Sequence, residues 1–91
     1  MSSHGDGQDD AAACAALVQL IAAAAGTVAA EVRPGARLHE DLGVDSLEMA
    51  ALLVDIEHHF DVVITAEALG NIHTVDDLRT AVAFAVRETT G

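Results

Sequence analysis

An all-α fold, three longer helices and one short helix with a long first loop, is what the sequence predicts, and three observations carry that prediction. Apolar residues recur at helical spacing in three separate stretches. Hydrophobic residues make up 52% of the chain but aromatics only 2%, with two Phe and no Trp or Tyr, so the core must be aliphatic. A single stretch, Val62-Val63-Ile64, reads as a strand, and nothing else in the chain offers it a partner. Ninety-one residues suffice for one small domain, so a multidomain enzyme is not expected.

Residues 1–9 (MSSHGDGQD) are polar, Gly-containing and aperiodic, and are expected to form a disordered tail before a folded domain over 10–88, with a short tail at 89–91. The first helix is expected from about Asp10, since Cys14, Leu17, Val18, Ile21, Ala24 and Ala25 share one side of a 3.6-residue wheel, and Gly26 ends it. On that inward stripe Cys14 reads as a buried, inert thiol. Pro34, Gly35 and Gly43 break the next stretch, while Val32, Leu38 and Leu42 are spaced through it as anchors, so a long pinned loop is expected over 27–45.

The second helix should run over about 46–60. Asp45 can cap it, Glu48 three residues on can return the bond as a capping box, and Met49, Leu52, Leu53, Ile56 and Phe60 line one face. Val62–Ile64 then form an extended connection. Thr65 can cap a single turn, Ala66 to Leu69, stopped by Gly70-Asn71. Thr74, with Asp77 three residues on, opens the last helix, whose buried stripe is Val75, Leu78, Val82 and Val86. Phe84 falls opposite that stripe, which implies partial exposure or an early helix end.

Charge narrows the partners. Fifteen acids against four Arg and no Lys give a formal net charge of −11, which repels a phosphate backbone or an anionic membrane and favours a basic protein surface. Neither nucleic acid nor membrane is expected. Residues 11–30 are uncharged over the length of a membrane span, but most are Ala, and Asp6, Asp9 and Asp10 stand where a signal peptide carries positive charge. The single Cys14 can form neither an intramolecular disulfide nor a Cys-rich zinc site, which fits a reducing, cytoplasmic setting.

Catalytic and metal motifs are missing. A Ser hydrolase would want G-x-S-x-G, and Ser46 has Val44 before it and Glu48 after it. His58 and His59 project about 100° apart on a helix and cannot easily share one metal. A calcium loop beginning at Asp41 would need Gly where Ser46 stands and Glu where Leu52 stands.

Ser46 is the residue that invites chemistry. If Asp45 is the cap, Ser46 occupies the first helical position, its hydroxyl is not consumed in capping, and it lies at the positive end of the helix, where a phosphate is favoured. By position alone it reads more readily as one of the serines common near helix starts. The segment Leu38-His39-Glu40-Asp41-Leu42-Gly43-Val44-Asp45-Ser46-Leu47-Glu48, however, resembles the signature of acyl carrier proteins, a Leu-Gly-x-Asp-Ser-Leu core that Leu42 to Leu47 match without a gap. The resemblance continues through Ile56-Glu57-His58-His59-Phe60, the short helix after Thr65, and Thr74 to Leu78, covering roughly residues 12–86 with the same helix order, long first loop, size and acidity.

The resemblance implies an acyl-carrier-like four-helix bundle that catalyses nothing itself. In that family a phosphopantetheinyl transferase moves 4′-phosphopantetheine from coenzyme A onto the serine, here Ser46, and the arm's terminal thiol carries acyl groups as thioesters. Asp45 matches the motif aspartate. Expected partners are that transferase and acyltransferases, ketosynthases or other biosynthetic enzymes with basic docking surfaces, met by a monomeric carrier.

Leu47, Ala51, Val54 and His58 lie together on the wheel, roughly opposite the core stripe, and form a second apolar strip beside Ser46. Either a packed loop, residues 35–44, covers the strip, or it is a docking surface rimmed by Glu48, Asp55 and Glu57. The helix departs from the commonest fatty-acid-synthesis pattern, which carries acids where Ala51, His58 and His59 stand. With 19 Ala, no Lys and Arg-only basicity, the departure leans towards polyketide or related specialised metabolism. Two alternatives remain: an aminoacyl or peptidyl carrier, disfavoured by Val44 before Asp45, and a cofactor-free helical adaptor.

Overall fold

The aliphatic stripes meet in one core. In the computed structural model, which describes the backbone of residues 3–90 and the side chains of 12–88, the chain runs α1 (Ser3–Ala25), a 3₁₀ turn (Ala29–Glu31), α2 (Ser46–Phe60), α3 (Ala66–Leu69) and α4 (Val75–Thr90). This is the expected helical bundle, three longer helices and one short, with the long loop before α2. Leu17 and Ile21 from α1, Leu52 and Ile56 from α2, and Val75, Leu78 and Val82 from α4 are buried together. Val32 and Leu38 anchor the loop in that core as their spacing implies, whereas Leu42 is only partly buried against it. No buried polar side chain occurs among the described residues, so packing of aliphatic groups is the main source of stability.

α1 begins at Ser3 rather than near Asp10, because a nucleated helix extends at one backbone hydrogen bond per residue and the Ala-rich stretch carries it towards the N-terminus. Of the tails expected at 1–9 and 89–91, residues 1–2 and 91 lie outside the described residues, while 3–9 form the start of α1 and 89–90 the end of α4. Gly26 ends α1 with φ +71, a conformation that Gly adopts without a Cβ clash. No helix among the described residues is long and apolar enough to cross a membrane. Cys14 is only half-buried, in the cleft between α1 and α4 beside Leu17, Arg79 and Val82, less enclosed than its stripe position suggests.

Long-range backbone bonds pin the loop. Arg37 and Thr74 form an isolated antiparallel bridge, the Leu38 N–H donates to the His73 carbonyl (2.9 Å), and the Val75 N–H donates to the Ala36 carbonyl (2.9 Å). The start of α4 therefore serves as the loop's backboard. Val62 is buried and Val63 exposed in the extended connection after α2, which pairs with no strand among the described residues.

The N-caps follow the sequence closely. Thr65 Oγ1 accepts the Ala68 N–H at 3.0 Å and caps α3. At α4, Thr74 Oγ1 accepts the Asp77 N–H (3.1 Å) while Asp77 Oδ2 accepts the N–H groups of His73 (3.0 Å) and Thr74 (3.1 Å). The His73 bond, then the Thr74 bond, hold the Asp77 carboxyl below the usual carboxylate range. A carboxyl lowered in this way stabilises the fold above its unfolded value, and that stabilisation is lost as pH falls through the lowered folded value. Asp77→Asn should therefore lower the melting temperature at neutral pH, and the gap to the wild type should close as pH drops from about 5 towards 2. A gap that stays constant across that window would refute the role of the charge.

Candidate functional site: the loop–helix corner at Ser46

The segment before Ser46 is built by turns that each use a particular residue. The Arg37 N–H donates to Asp41 Oδ2 (2.8 Å), the Leu42 N–H to the Arg37 carbonyl (3.0 Å), and the Gly43 N–H to the His39 carbonyl (3.0 Å), folding 37–43 onto itself. Gly43 sits at φ +73, where a side chain would be strained, and reverses the chain there. Val44 then enters the core, 2% exposed, its N–H bonded to the Leu38 carbonyl (2.9 Å) and its own carbonyl 3.2 Å from His39 Nδ1.

With Val44 locked, Asp45 arrives in extended conformation and caps α2. Its Oδ1 accepts the Glu48 N–H at 2.8 Å, and Glu48 Oε1 accepts the Asp45 N–H at 3.2 Å, completing the expected capping box. Ser46 is the first residue of α2 and is exposed, with its hydroxyl outside that cap. The four-residue stretch Gly43 to Ser46 thus divides its work: reversal, anchorage, capping and presentation.

The strip beside Ser46 is open rather than covered by the loop. Leu47 is 80% exposed and Val54 49%, and Ala51 and His58 are also exposed, because residues 35–44 pack against the start of α4 instead. Asp55 is exposed at its edge, and Glu48 is exposed but engaged in the capping box. Glu57 differs from the rim position read from the sequence. It is half-buried, and its Oε2 accepts the Ile64 N–H at 2.9 Å, tying the end of α2 to the connection that follows. His58 and His59 belong to no metal-binding cluster, and none occurs among the described residues.

The donor set fits a phosphopantetheine. An accessible hydroxyl heads a 15-residue helix, the backbone N–H groups of the first turn have no acceptor within the helix, and the one adjacent carboxylate is turned onto the Glu48 N–H. Residues 15–82 match the protein family described as "Phosphopantetheine attachment site". The chain belongs to the acyl carrier protein family. It is 45% identical over 58 residues to the acyl carrier protein MbtL of Mycolicibacterium paratuberculosis, a match covering 64% of this chain and 65% of that relative. It is 37% identical over 62 residues to an acyl carrier protein of Syntrophus aciditrophicus, covering 68% of this chain and 78% of the relative. An acyl carrier protein of Solidesulfovibrio magneticus is 42% identical over 52 residues, covering 57% of this chain and 67% of the relative.

Membership makes phosphopantetheine the cofactor of this carrier. Two residues of the site were not legible as such. Val44 is an anchor whose only sequence signal is an apolar residue between a Gly and a cap, and His39 supports it through a contact five residues away.

Proposed function

We propose that this carrier bears 4′-phosphopantetheine on Ser46 and shuttles acyl intermediates between enzymes of polyketide or fatty acid biosynthesis, with the polyketide route favoured. The observation that carries the attachment point is the corner itself: Ser46 is exposed at the first position of α2 while Asp45 takes the capping role. When bound, the group supplies a terminal thiol that holds acyl chains as thioesters. Ser46 provides the oxygen of the phosphodiester, and the N-terminus of α2 favours the negative charge there by about 0.3 to 1 kcal/mol. Asp45 keeps the helix start rigid and its own charge away from the phosphate.

Leu47, Ala51, Val54 and His58 form the surface against which the transferase and the acyl-processing enzymes lie, with Glu48 and Asp55 facing their basic side chains. The lean towards a polyketide pathway rests on Ala51, His58 and His59, which make this helix less acidic than the fatty-acid-synthesis pattern. Incubation with coenzyme A and a phosphopantetheinyl transferase, followed by intact mass measurement, tests loading. Mass spectrometry of acyl species on the arm from the native host tests the pathway. Leu47→Asp and Val54→Asp should stay helical by circular dichroism, since both side chains face solvent, yet slow loading by about tenfold or more. Loading at the wild-type rate in both folded variants would place the transferase elsewhere.

A further inference from the structure

Of the two aromatic residues in the chain, Phe84 lies 61% exposed on α4, and Val63, 75% exposed, stands in the connection after α2. They are not isolated. Together with Ile64 and Ala81 they line a groove of about 540 Å³ between that connection and α4, with Asp61 and Glu88 also in its wall. No basic side chain lines it among the described residues. Asp61 closes α2 in the left-handed conformation (φ +57), which sets the turn that lifts Val63 outward. The groove begins where α2 ends, so the 15 residues of that helix, at about 1.5 Å each, separate it from Ser46 by roughly 22 Å.

We propose that this groove is a second docking surface, which seats a large apolar side chain of a basic amphipathic helix from a partner enzyme between Val63 and Phe84. Charge complementarity selects that occupant. An apolar slot walled by two carboxylates, on a chain with a net charge of −11, attracts an anchor flanked by Lys or Arg. It disfavours a second copy of this chain, which would bring like charges together at the same place. A partner held there leaves Ser46 and the Leu47 strip free for another enzyme, and the tether raises the local concentration of the carrier at the first. The inference does not depend on Ser46 being the attachment point.

The test uses the full chain labelled with ¹⁵N and titrated with a synthetic amphipathic helix carrying Leu on one face and Lys on the other. Amide shifts should concentrate at 61–65 and 81–88. Phe84→Ser should weaken binding roughly tenfold, Asp61→Asn with Glu88→Gln should weaken it and reduce its salt dependence, and Leu47→Asp should leave it unchanged. Asn keeps the left-handed turn at position 61. Val63→Ser replaces Phe84→Ser should the latter unfold. Shifts centred on 47–58, wild-type affinity in the folded Phe84 or Val63 variant, or self-association through the groove seen by sedimentation would each overturn the proposal.

Discussion

Ser46→Ala is expected to abolish loading completely while leaving the fold unchanged. Incubated with coenzyme A and transferase, the variant should show no increase in intact mass, where the wild type gains one arm. The fold should survive because the side chain is exposed and its hydroxyl takes no part in the cap, which belongs to Asp45 and Glu48. Ala is also the best helix former, so the change in stability should stay within about 0.5 kcal/mol. The remaining serines, Ser2 and Ser3, lie far from the motif in sequence. Modification that persists in the folded variant would remove Ser46 as the attachment point while leaving the family assignment untouched.

Leu52→Ala and Ile56→Ala should have the largest effect on stability. Both side chains come from the face of α2 opposite the strip and are fully enclosed, at 1% and 0% exposure. Truncation to Ala removes buried methyl groups and leaves a cavity, at a cost of about 2 to 5 kcal/mol. A small domain has about 5 to 15 kcal/mol in total, towards the low end when self-repulsion from a net charge of −11 is added. Urea denaturation should show a midpoint shifted far down with the slope retained. Because α2 carries both Ser46 and the strip, these variants should also lose loading in proportion to the unfolded fraction, and added salt should partly restore it. A melting temperature indifferent to both Leu52→Ala and salt would mean that the core face of α2 has been assigned to the wrong side.

Local chemistry was legible in the residues and long-range chemistry was not. The caps at Asp45, Thr65 and Thr74 each join a side chain to a backbone group three residues away, so the pattern that specifies them is contained in four consecutive letters. The stripes of α2 and α4 repeat every three or four residues, and Leu52, Ile56, Leu78 and Val82 are buried as that period requires. The Leu42–Leu47 motif likewise singles out Ser46 by resemblance, and the structure holds that residue exposed at the first position of α2.

Tertiary structure decided the rest, because the determining partner lies far along the chain. The bridge between Arg37 and Thr74 spans a sequence distance that no local pattern reports, yet it draws residues 35–44 onto the start of α4 and so leaves the Leu47 strip open. Glu57 looked like a surface acid until Ile64 turned back to donate its N–H, removing that carboxylate from the rim. Phe84 had only an awkward place on a helical wheel. Val63, Asp61 and Glu88 come together around it in the fold, and a wheel drawn for one helix cannot show a neighbour supplied by another element.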